Sequence, residues 1–197
     1  MFKLFIVLFL SLILSKAAFA DKLPGSIAVN IAKCHYEHPV RLLHPYLEVW
    51  HMKGLMVEKV ALKVLSEHFA NVSMCANSSN ADVVLSLEPQ IFYNAQLRVF
   101  YAEVIAKAYV NNGEPIDQLV AIATVKKQAQ QNGDLGIKPE CYMEKVYTEA
   151  MDKVIKQLEV DSAFLAVLNK TAEKAPANKA ETLCDELNDL PVTKIYY

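Results

Sequence analysis

The chain has 197 residues, 53% of them hydrophobic, with 20 basic against 22 acidic side chains and a formal net charge of −2. That length suits one domain with a real core. The charges are few and interspersed, which excludes the concentrated basic surface of a nucleic-acid-binding protein, so no nucleic-acid partner is expected.

The first predicted element is a targeting segment. Lys3 precedes an apolar run over residues 4–14 that only Ser11 interrupts, and Ala18-Phe19-Ala20 places small residues where a signal peptidase reads them. Residues 1–20 are therefore expected to be a signal peptide, cleaved between Ala20 and Asp21, and the protein periplasmic or secreted. The apolar run falls short of the roughly 20 residues that span a bilayer, so no transmembrane span is expected in the mature chain. That chain keeps 177 residues and a net charge near −4, because Lys3 and Lys16 leave with the leader.

Residues 26–33 alternate apolar and polar side chains and predict a strand. Residues 34–45 carry two prolines and read as a loop. A helix follows from about 47 to 69, with Lys59, Lys63, Ser66 and Glu67 on its polar side and Gly54 weakening its start. Residues 71–76 form a short strand before the turn cluster at 77–80. Residues 81–92 predict a strand with Val83, Leu85 and Leu87 on one face. The clearest strand covers 98–110. Phe100, Ala102, Val104, Ala106 and Ala108 make a wholly apolar face, onto which small side chains let helices pack closely. Asn111-Asn112-Gly113 turns the chain into a partner strand at 118–128.

A second long helix opens at Pro139 and Glu140. Met143, Val146, Tyr147, Ala150, Met151, Val154 and Leu158 keep helical spacing without a miss. Asp161-Ser162 predicts a fresh helix start, and the short helix runs to about Leu168. Residues 169–180 read as a linker, and 181–197 as a tail too apolar to stay free. The expected fold is α+β: residues 21–168 form one mixed or antiparallel sheet of four to five strands with two long helices on one face. Residues 169–197 are linker and tail packing back on the domain.

All four cysteines, Cys34, Cys75, Cys141 and Cys184, lie beyond the leader. An even number in an exported chain predicts two disulfides, and no Cys-x-x-Cys redox motif occurs. Four cysteines allow three pairings, which spacing does not resolve. The favoured one is Cys34–Cys75 with Cys141–Cys184, because Cys34 and Cys75 each end a strand and Cys184 must tie the tail to the body.

Cys34, His35, Glu37 and His38, followed by His44 and His51, are the candidate metal ligands, with His35 and His38 foremost. No second compact ligand pair completes the set. Nucleophile-elbow, phosphate-loop and dinucleotide motifs are absent, and no cofactor is expected. Three Asn-x-Ser/Thr triplets, at Asn71, Asn77 and Asn169, read as accidental in a bacterial-looking chain. The mixed face of the 98–110 strand carries Tyr101, Glu103, Ile105, Lys107 and Tyr109. Tyr101, Ile105 and Tyr109 are the candidate binding residues, on a surface that pairs aromatic anchors with charge. The alternative is that the tail buries this face.

The order of elements, with Ala81-Asp82-Val83-Val84-Leu85 as its local signal, resembles YajG-like lipoproteins and the N-terminal domain of TolB over residues 26–160. The resemblance implies a non-enzymatic role in binding other envelope components. The expected function is thus a soluble exported binding or envelope-assembly module without catalysis. Its partner would be another envelope protein or a lipid-like ligand. The alternatives are a periplasmic metal-binding protein using the Cys34, His35 and His38 region, and an exported hydrolase with an unrecognised site.

Overall fold

In the computed structural model, the described residues are 22–43, 48–75, 80–111, 119–132, 139–171 and 180–191. The leader, its cleavage point and His44 lie outside them. Period-two alternation in mid-chain builds three long antiparallel strands: β5 (Val83–Asn94), β6 (Val99–Val110) and β7 (Leu119–Gln130). The β5–β6 turn is held by Asn94, whose Oδ1 accepts from the backbone N–H groups of Gln96 and Leu97 at 3.1 and 3.0 Å. β1 (Leu23–Ile31) joins β5 in parallel, and β4 (Phe69–Met74) joins β1 in parallel. The five-stranded order is β4-β1-β5-β6-β7.

Between β1 and β4 the chain forms α1 (Cys34–Glu37), a two-stranded ribbon of β2 (Val40–Leu42) and β3 (Val49–His51), and α2 (Lys53–His68). After β7 come α3 (Pro139–Leu158), α4 (Ser162–Thr171) and α5 (Glu181–Asp189). The two long helices, α2 and α3, share one face of the sheet. There Val57, Val60 and Val64 of α2 and Val146, Ala150 and Val154 of α3 bury onto Val29, Leu85, Val104 and Ala106. Each such valine or leucine contributes about 1.5–3 kcal/mol on burial. Asp161 caps α4, its Oδ1 accepting from the N–H groups of Ala163 and Phe164 at 3.0 and 2.9 Å. This α+β architecture matches the sequence expectation. No helix among the described residues is long and apolar enough to cross a membrane.

Two local readings are corrected. Residues 34–45 hold α1 and β2 as well as loop, and the long helix begins at Lys53 instead of about 47. Val49-Trp50-His51 pairs with Val40–Leu42, as β-branched and aromatic side chains favour. Gly54 is then required in the first turn of α2. A Cβ there would stand 2.8 Å from the Tyr36 ring and 3.0 Å from the carbonyl of His35.

The disulfide pairing is also corrected: Cys75 bonds to Cys184, while Cys34 and Cys141 are free thiols. The reason is the face on which each residue emerges. The end of β4 and the start of β5 border the side of the sheet away from α2 and α3. Ala81 and the partly buried Cys75 lie there in a second apolar cluster with Ala28, Val84, Tyr109, Leu183 and Leu187. That side is where α5 docks. Cys34 instead turns with α1 toward the start of α2, and Cys141 is exposed on α3, across the sheet from α5.

Candidate functional site

β1 stops at Ile31, opposite Leu87 of β5. The outer half of β5, from Glu88 onward, therefore has no strand on that side among the described residues. The β2–β3 ribbon stands there. Leu42, Val49 and His51 turn inward and are buried, while Arg41, Leu43 and Trp50 turn outward. Between the ribbon and the sheet lies a cleft of ≈ 690 Å³. Val40, Leu42 and Leu43 form one wall, and Ile91, Phe92 and Tyr101 the apolar floor. Gln90, Glu103, Arg41, Lys126 and Lys127 add polar groups. Phe92 is 57% exposed there, an unusual amount for a phenyl group on a long central strand.

The charges around the cleft are partly paired. Lys126 Nζ is 3.7 Å from Glu103 Oε1, and Arg41 is 3.3 Å from Glu48 with its guanidinium 5.9 Å from the Trp50 ring. The Arg41–Glu48 pair is exposed on both sides, and such pairs contribute roughly 0–1 kcal/mol, whereas Glu103 is buried beneath the exposed Lys126.

The structure separates the candidate binding residues. Tyr101 lines the cleft, with its ring 6.1 Å from that of Phe92. Ile105 is buried. Tyr109 lies beneath α5, and burial pushes its phenol above the usual range. α5 thus covers one end of the mixed face and leaves the Tyr101 end open. Phe92 closes the strand predicted over residues 81–92. The ribbon wall had no such signal, because three-residue strands carry too little periodicity.

The described members of the histidine cluster are spread apart. His35 lies in α1 and is buried. The helix ends at Glu37, and extended backbone at His38 carries that side chain to the surface. Among the described residues no group of three metal-ligating side chains converges. What assembles instead is a polar knot at the inner base of the ribbon, made of His35, His51, Lys53 and Tyr147. Lys53 Nζ donates to Gln90 Oε1 at 3.1 Å. The His51 ring stacks on Tyr147 of α3 at 6.1 Å. Burial, reinforced by the Lys53 charge, lowers both imidazoles to about 4, and Glu88 partly opposes this at His35. Burial likewise lowers the Lys53 amine and raises the Tyr147 phenol.

Among the described residues His35 Nε2, His51 Nε2 and the Tyr147 hydroxyl have no hydrogen-bond partner. An orphaned buried hydroxyl costs about 1–3 kcal/mol. Tyr147→Phe is therefore expected to stabilise the protein by about 1 kcal/mol in denaturant melts, and a destabilised variant would show that the hydroxyl has a partner.

No family model and no curated protein matches the chain. Solved structures of similar layout include a Xanthomonas campestris protein of family DUF330, 12% identical, covering 76% of this chain and 89% of its own, with a TM-score of 0.44. The PelC dodecamer from Paraburkholderia phytofirmans is 20% identical and covers 70% and 88%, with a TM-score of 0.42. A minor lipoprotein from Acinetobacter baumannii is 11% identical and covers 76% and 95%, with a TM-score of 0.37.

Proposed function

We propose that this protein is an exported, non-catalytic binding module of the bacterial envelope, and that its cleft takes an apolar ligand between the β2–β3 ribbon and the sheet. The observation that carries the reading is the ≈ 690 Å³ cleft floored by Phe92 and Tyr101. Ligand sites of this type run to roughly 300–1,000 Å³, with mainly apolar linings and a few placed polar groups. The leader and the Cys75–Cys184 disulfide support an oxidising compartment.

The test is fluorescence titration with the neutral apolar dye N-phenyl-1-naphthylamine. Phe92→Asp should weaken dye binding about tenfold, the scale of a central aromatic contact. The melting temperature should hold, because the ring is more than half exposed. A wild-type protein that does not bind the dye, or a variant that binds it equally well, would overturn the reading.

A further inference from the structure

We infer that the inner end of the cleft is an anion site, and that the ligand is an alkyl carboxylate whose head group meets Lys53 while its chain runs along Phe92 and Tyr101. This deepens the cleft reading above and rests on it. Lys53 is 7% exposed. Its one hydrogen bond goes to a neutral amide oxygen, that of Gln90, and no carboxylate lies within ion-pair distance among the described residues. The acidic neighbour that acts on Lys53 is the free Cys34 thiol and not a carboxylate, whereas proteins normally pair a buried ammonium closely with an anion.

Lys53 is also the first residue of α2, a 16-residue helix whose start has no side-chain cap and no acidic residue in its first turn. A helix start presents unpaired N–H groups and a partial positive charge, so an acid or a bound anion belongs there. A lysine alone at that position compounds the excess.

The surroundings point the same way. His35 and His51 are 2% and 5% exposed, and each carries an unpartnered Nε2. A neutral imidazole can donate from Nε2 in one of its tautomers. His35 lies against the start of α2, since its carbonyl is one of the contacts that crowd a side chain at Gly54. The Lys53 charge acts on both imidazoles. Glu88, which acts on His35 from β5, is held by Lys107 at 2.6 Å. The knot therefore collects one cation and several donors around a place for negative charge. Gln90 connects the two halves: it accepts from Lys53 and also lines the cleft. One enclosed ammonium matches a single negative charge, which favours a carboxylate over a phosphate dianion.

Displacement of N-phenyl-1-naphthylamine by octanoate, decanoate and decanol at pH 7.5 tests this on the full mature protein. Decanoate should bind more tightly than decanol, and more tightly than octanoate by about tenfold, as two further buried methylenes require. Lys53→Met, which removes the charge and keeps an unbranched side chain one atom shorter, should weaken decanoate at least tenfold and leave decanol unchanged. Phe92→Asp should weaken both. Lys53→Gln repeats the comparison if the Met variant does not fold. Equal binding of decanoate and decanol, or decanoate binding that survives both Lys53 variants, would overturn the anion site while the cleft reading stands. Failure of the dye and of all three alkyl compounds to bind would remove the cleft reading and this inference together.

Discussion

Acidification from pH 7 to 4 should cost this protein several kcal/mol of stability through His35 and His51. Each imidazole has its folded value lowered to about 4, from an ordinary 6.5. In that window the unfolded chain binds protons that the folded chain refuses, so stability falls as the pH drops through 6.5 and levels off near 4. The ceiling is about 3 kcal/mol per histidine. Water entering the knot as it charges lowers that figure. His51→Phe keeps a ring on Tyr147 and should remove about half of the pH-dependent loss in urea melts at pH 7.5, 5.5 and 4.5. A variant with the wild-type slope would show that His51 titrates normally in the folded protein. Because His51 sits on β3, the loss should begin at the ribbon, and the cleft wall should loosen before the sheet does.

The second large effect concerns the bridge. Cys75 and Cys184 are 109 residues apart. Closing a loop of that length stabilises by about 4–5 kcal/mol in the chain-entropy picture. The double variant Cys75→Ala, Cys184→Ala should lose about 4 kcal/mol. Without its covalent tie, α5 keeps only Leu183 and Leu187 as apolar anchors on the sheet. It should fray, and Tyr109 should become accessible. Non-reducing peptide mapping should recover the 75–184 pair with Cys141 readily alkylated. A loss below about 1 kcal/mol, or a map with four free thiols, would contradict the pairing.

The sequence shows some of this plainly. α3 is legible because seven apolar residues hold helical spacing over a whole face, and β6 because its two faces differ at every step. Tyr101 and Tyr109 share a period, yet they end in different environments. The element that separates them, α5, arrives from more than 70 residues downstream, where no local pattern announces its docking place. The cysteine pairing depends on which face of the sheet Cys75 and α5 share, a property of the whole sheet. Lys53 reads as an ordinary surface charge beside Gly54. Its burial follows from α1 and the ribbon closing over the helix start, and those elements are too short for periodicity to reveal.

The place of β1 in the order β4-β1-β5-β6-β7 bears on how the chain acquires its structure. The strand nearest the start of the described chain is an interior one, with β4 and β5 as its two neighbours. β5, β6 and β7 can zip up from adjacent turns, with little loop-closure entropy to overcome. β1 must wait for partners that lie about 45 and 55 residues further along, so its docking is the slow, non-local step. Trimming the chain from this end would not shorten a dispensable tip. Loss of residues 23–31 would split the sheet, strand β4 without a neighbour, and uncover the edge of β5. From this end, deletions are therefore expected to be tolerated only ahead of Leu23.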